Sequence, residues 1–188
     1  MPGVTTASVV VDFLQYKSHS NGLECPRIEG QHGDLSRNPM IQEALQRRTL
    51  EVEDQYQLRT NGLAMMDILH VTPDTAFSKF HSVVNEIFYD PVRRSVIHSG
   101  IKPPWGQISS LLAFSGALVI HCIQKEMPQL VQQIAHWTIS YIDTYLLGWM
   151  NSHGGWMGII PPENLVCWEN FLAVAALAGM TALVLYAH

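Results

Sequence analysis

Nine histidines, three cysteines and a scatter of serines are the side chains in this 188-residue sequence that could bind a metal or act as a nucleophile. The histidines stand at 19, 32, 70, 81, 98, 121, 136, 153 and 188. No two are four apart, the step that would bring two imidazoles to one metal from a single helix face, and Cys25, Cys122 and Cys167 complete no ligand spacing with them. Ser115 precedes Gly116 but lacks the flanking glycine of a nucleophile elbow. A glycine-rich phosphate loop and a carboxylate pair are also missing. The expectation is a protein with no catalytic residue, no metal and no cofactor, and hence not an enzyme. The remaining chemistry is recognition, and its clearest sign is a run of polar side chains, Gln107, Ser109 and Ser110, at the head of an otherwise apolar stretch.

That stretch, Pro104 to Ile123, dominates the chain. Leu111, Leu112, Phe114, Leu118, Val119, Ile120, Cys122 and Ile123 cover almost every face of a helix, and no charge falls between Lys102 and Lys125. A helix apolar all round belongs in a core or a bilayer. The interruptions at Gln107, Ser109, Ser110, Ser115 and His121 favour the buried central helix of an all-helical domain. Composition agrees: 47% of residues are hydrophobic and only 14% charged, against about a quarter charged in ordinary soluble domains. After Lys102 the only charged residues are Lys125, Glu126, Asp143, Glu163 and Glu169, so the second half is core or membrane. A net charge of -5 without any basic block excludes a nucleic-acid partner.

Other elements follow from period and punctuation. A short amphipathic helix starts at Ala7 with Thr6 or Ser8 as its cap, and residues 19–38 read as a flexible loop. Asn38-Pro39 opens a second helix with Ile41, Leu45, Val52 and Tyr56 on one side. Asn61-Gly62 stops or kinks it, and LAMMDILH forms a short helical piece. Thr72-Pro73-Asp74-Thr75 introduces a helix whose core face is Phe77, Phe80, Val83, Val84, Ile87 and Phe88. Asp90 to Pro104 is a long connection with a helical turn at Val92 to His98. Met127-Pro128 restarts a helix running to Leu147, pairing with the central one as an antiparallel hairpin. Gly148, Gly154, Gly155 and Gly158 cut the next segment into short helices.

Residues 1–162 are thus expected to form one helical domain and 163–188 a C-terminal hydrophobic helix. Phe171 to Ala187 is uncharged and spans about 26 Å as a helix, close to a bilayer core of roughly 30 Å. It is either a tail anchor or a last helix folded onto the domain's own apolar surface. Met1 to Ser8 carries no basic residue ahead of a long apolar run, and three well-separated cysteines suit free thiols, so an intracellular protein is expected.

Four stretches together resemble the Bcl-2 family of apoptosis regulators. VVVDFLQYK, Val9 to Lys17, is similar to the fourth homology motif typical of pro-survival members. LHVTPDTAF with FHSVVNEIF, at Leu69 to Phe77 and Phe80 to Phe88, looks like the family's third and fourth helices. WGQISSLLAFSGAL, Trp105 to Leu118, resembles the first homology motif, and WMNSHGGWMG, Trp149 to Gly158, the second. The resemblance implies an all-α bundle with a buried central helical hairpin and a surface hydrophobic groove for a partner's amphipathic helix, a recognition mode of which this family is a general example. Carried over position by position, the groove involves Val52, Tyr56, Arg59 and Leu63, then Val83, Glu86 and Ile87, and finally Trp105, Gly106, Gln107, Ser109, Ser110 and Phe114. The implied partners are the amphipathic death-motif helices of pro-apoptotic relatives, both Bak/Bax-like and motif-only. The implied location is the mitochondrial outer membrane, with the endoplasmic reticulum and a cytosolic pool.

Departures from the family pattern are informative. Pro104 and Gln107 stand where Asn and Arg usually flank the Trp-Gly pair, so the cation that normally meets an Asp of the incoming helix is missing or is replaced by Arg59, Arg93 or Arg94. In ALQRRTLEVEDQY, Ala44 to Tyr56, where the third homology motif belongs, Thr49 replaces the usual small residue and Leu50 the usual Asp. Such a helix is a poor donor to another protein's groove. The resemblance therefore implies a receptor that inhibits cell death, with a pore-forming executioner that permeabilises the mitochondrial outer membrane as the alternative.

Overall fold

The computed structural model describes residues 4–29, 38–59, 69–90, 95–96 and 105–160, most of them helical. In chain order the elements are α1 (Thr6–Ser20), α2 (Pro39–Arg59), α3 (Ala76–Ile87), the two-residue strands β1 (Tyr89–Asp90) and β2 (Ser95–Val96), α4 (Trp105–Gln124) and α5 (Gln129–Tyr141). A π turn at Ile142–Leu146, α6 (Leu147–Ser152) and a 3-10 turn at Gly155–Ile159 follow. They group into two compact units, one of residues up to Arg47 together with those from Phe114 to Ile160, the other from Arg48 to Ala113. Both α2 and α4 contribute residues to each.

In the first unit α1 buries Val9, Val10, Val11, Phe13 and Leu14, and it packs against α5. Its cap is Thr5, one residue before Thr6 and three before Ser8, the expected caps. The reason is reciprocal bonding: the Thr5 hydroxyl accepts the Ser8 amide at 3.2 Å, and Ser8 at the third helical position accepts the Thr5 amide at 3.3 Å. Where α4 crosses α1, a Cβ on Gly116 would stand 3.0 Å from Cγ of Lys17 and 3.4 Å from the Phe13 ring, so the missing side chain permits the approach.

The second half of α4 and α5 form the expected hairpin. Lys125 to Pro128 turn the chain, with Glu126 at φ +57° and the Met127 amide returning to the Cys122 carbonyl at 2.8 Å. This closes the helix end as a Schellman turn. Ser115 and Thr138, equally far from that turn along the two helices, meet hydroxyl to hydroxyl at 2.9 Å in the core. By length and composition α4 could cross a membrane, yet 72% of its most apolar window is buried inside the protein. The uninterrupted helix to Leu147 is corrected, because the backbone widens into a π turn at Ile142 before α6 begins. Of the segment after α1, Ile28 is buried and the Glu29 amide donates to Oε1 of Gln132 at 2.7 Å. This part of the expected loop is packed down.

In the second unit α3 carries the face that positions the candidate site. Phe80, Val83, Val84, Ile87 and Phe88 are buried as expected, whereas Phe77 is 55% exposed. Phe77 lies at the edge of the stripe shared by 80, 83, 84 and 87, and it meets His81 one turn on, ring centroids 5.9 Å apart. The helix begins at Ala76, with Pro73 to Thr75 forming the turn ahead of it. Tyr89 pairs with Val96 and Asp90 with Ser95, so an antiparallel β contact replaces part of the helical turn expected at 92–98. A β-branched Val suits extended backbone better. Of the helical piece expected at 63–70 only Leu69 and His70 are described, and the C-terminal helix expected at 163–188 lies outside the described residues.

Candidate functional site

The first turns of α4 and the last turn of α3 come together through one side chain. Nε2 of Gln107 donates to the carbonyl of Ile87 at 2.9 Å. Ile87 ends α3, so this carbonyl has no partner within its own helix, and the carboxamide supplies one. The same side chain leaves its own Oε1 buried without a hydrogen-bond partner. Around it, Glu86, Trp105 and Gln107 are partly exposed, while Val83, Ile87 and Gly106 are buried.

Ser109 and Ser110 carry little exposed chemistry. Both are fully buried, and their hydroxyls donate back along α4, Ser109 to the Trp105 carbonyl and Ser110 to that of Gly106, each at 2.9 Å. Such i−4 bonds satisfy the hydroxyls where no water reaches them. On α2, Val52 and Tyr56 are buried. In the other unit Phe114 is buried as well. The side chain of Arg59, all of Leu63, and the alternative cations Arg93 and Arg94 lie outside the described residues.

Sequence reading missed the contact between Gln107 and Ile87. It also missed the burial of Arg48 and Thr49, at 4% and 1% exposure. The signal for the first was a polar residue in the opening turn of an apolar helix whose predecessor ends in an unpaired carbonyl. No sequence signal marks Arg48, since arginine on an amphipathic helix is ordinarily read as solvated.

Among the described residues no group of three His, Cys, Asp or Glu side chains is placed to hold a metal ion. The buried thiol of Cys122 is pushed up to about 11 by desolvation. The Cys25 thiol is raised by burial, opposed by a hydrogen bond with Ser18. Neither thiol is primed for nucleophilic work, because the thiolate is the reactive form. What the α3–α4 junction offers is apolar burial edged by a carboxylate, an indole and a carboxamide, the furniture of a binding surface.

Comparison with known proteins bears on what such a surface receives. The family model described as "Apoptosis regulator proteins, Bcl-2 family" matches residues 45–156. The rat Bcl-2-like protein 1 is 34% identical over 140 residues, 71% of this chain and 55% of the relative. The Xenopus laevis apoptosis regulator R11 is 27% identical over 174 residues, 86% of this chain and 79% of the relative. The chain spans about half the length of the Bcl-2-like protein 1 sequences it matches. Among solved structures, Trichoplax adhaerens trBcl-2L2 bound to trBak BH3 is similar with a TM-score of 0.61 and 26% identity, over 81% of this chain and 93% of that one. The all-α architecture is thus that of the Bcl-2 fold.

Proposed function

Since this chain belongs to the Bcl-2 family of apoptosis regulators, we propose that it inhibits cell death by holding the amphipathic BH3 helices of pro-apoptotic relatives in an apolar groove. The observation that carries this reading is the likeness to trBcl-2L2, a protein solved bound to trBak BH3. In this reading the groove takes Val52 and Tyr56 of α2, Val83, Glu86 and Ile87 of α3, and Trp105, Gly106 and Gln107 of α4. Affinity comes from apolar side chains at helical spacing entering pockets between these elements.

A receptor role is supported by α2. Thr49, at 1% exposure, occupies the place where a donated helix needs a small residue, and Leu50, where it needs an Asp, is 49% exposed. The helix keeps its own apolar face, with Leu45, Thr49 and Val52 buried at home. Residues 163–188 anchor the protein to intracellular membranes, the mitochondrial outer membrane and endoplasmic reticulum among them.

Calorimetry against a panel of BH3 peptides tests the proposal. Binding is expected at Kd values below about 10 μM, near -7 kcal/mol, and failure to bind any of them sinks it. The executioner alternative draws on α4, a 20-residue helix apolar enough to span a bilayer. Liposomes loaded with dye separate the two. Release on adding protein with a BH3 peptide favours the pore-former, and retention favours the receptor.

A further inference from the structure

We propose that Met157 is an oxidation site and that its sulfoxide latches the start of α2 to the 3-10 turn at Gly155–Ile159. Among the described methionines Met150 is fully buried, whereas Met157 is 46% exposed. Trp156 and Ile159, both buried, hold the turn in place and leave Met157 facing outward. Its Sδ accepts a hydrogen bond from Nδ2 of Asn38 at 3.4 Å, in a contact open to solvent. The other end of the same carboxamide caps α2, where Oδ1 of Asn38 accepts the Met40 amide at 3.1 Å and the Ile41 amide at 3.4 Å. Asn38 thus joins two segments 119 residues apart, and the bond to sulfur is its weak half.

Oxidation strengthens that half. A lone pair of the Met157 sulfur attacks one oxygen of hydrogen peroxide, and the O–O bond breaks as the S–O bond forms. Sulfur gives up two electrons; the departing oxygen takes the proton of the transferred hydroxyl and leaves as water. The product carries an oxygen, a better acceptor than a thioether sulfur. Because the contact is open to solvent, that oxygen enters no apolar core, where a sulfoxide would disrupt packing. The donor is already oriented: turning the Asn38 carboxamide over would set its NH2 against the Met40 and Ile41 amides.

The test is mild treatment of the full chain with hydrogen peroxide, with peptide mass analysis to place the oxygen. Met157 is expected to take it up while buried Met150 does not. Met40, 58% exposed, is expected to oxidise as well, so the decisive comparison is with Met157→Leu, which lacks the one sulfur. The shift in thermal midpoint on oxidation is expected to be about 2 °C more favourable in the wild type than in Met157→Leu, as one net hydrogen bond gives in a chain of this length. Asn38→Asp keeps the capping oxygen and loses the NH2. It is expected to behave as Met157→Leu does, and Asn38→Ser repeats the comparison if that variant does not fold. Three results overturn the proposal: a wild-type shift no more favourable than that of Met157→Leu, an advantage that survives loss of the Asn38 NH2, or a Met157 left unmodified while Met40 oxidises.

Discussion

Thr138 donates its hydroxyl hydrogen to the Ile134 carbonyl at 2.8 Å, and its hydroxyl also meets that of Ser115 at 2.9 Å. Both residues are fully buried, and a polar contact there tolerates only matched changes. Thr138→Val takes away the hydroxyl that Ser115 meets and is expected to destabilise by about 1–3 kcal/mol, with the double change Ser115→Ala/Thr138→Val costing less than the sum of the singles. Denaturant unfolding of the four proteins reads the cycle, and additive losses would show that the pair is not coupled. Cys122 makes a second residue-scale prediction. Its thiol is raised from 9.0 to about 11 by burial, so the folded protein holds this proton to higher pH than the unfolded chain does. The associated stability is whole below pH 9 and is lost as the pH climbs toward 11. Tyr141, pushed up by burial and by its neighbour Tyr145, acts in the same direction. Unfolding midpoints should fall over that window, less steeply in Cys122→Ala than in the wild type, and parallel curves would count against the assignment.

The hairpin of α4 and α5 turns on a residue poorly suited to its place. Glu126 holds φ +57°, a left-handed conformation that costs a residue with a Cβ about 1–2 kcal/mol. Glu126→Gly removes that strain but frees the unfolded chain, so the expected net gain is about 0.5–1 kcal/mol. A thermal melt showing no increase would mean that the Glu126 side chain contributes elsewhere. Gly154, at φ +91° between α6 and the 3-10 turn, is the same solution with the fitting residue. Helix starts were legible where a short polar side chain could cap. Asn38 Oδ1 accepts the Met40 amide at 3.1 Å, as the Asn38-Pro39 pair implied. The π turn was not legible, because Ile142 to Leu146 keep helical composition and only packing widens the backbone there.

For the whole molecule, the apolar character of α4 and its burial pull membrane arguments in different directions. Twenty residues at a rise of 1.5 Å span about 30 Å, enough for a bilayer, but most of this surface is already covered within the protein. Under the proposed function, membrane attachment of the resting protein falls to residues 163–188, which is itself a prediction. Deleting them is expected to abolish co-flotation with liposomes while BH3-peptide affinity stays within a few-fold. Flotation undiminished by the deletion would transfer the attachment to the helical domain itself.

Among the described residues, sequence alone determined the main helices, their order and the central hairpin, because apolar period, caps and the collapse of charge after Lys102 are local signals that burial must respect. The four motif stretches, read together, determined the family. Tertiary structure decided which polar groups are spent inside. Ser109 and Ser110 bond back to their own helix, Arg48 and Thr49 are covered, and Gln107 holds the end of α3 while one oxygen goes unmatched. The physical reason is that hydrogen-bond partnership depends on which helix end arrives opposite a side chain, and Ile87 stands 20 residues from Gln107 along the chain. No local pattern encodes that meeting; it exists only once α3 and α4 are packed.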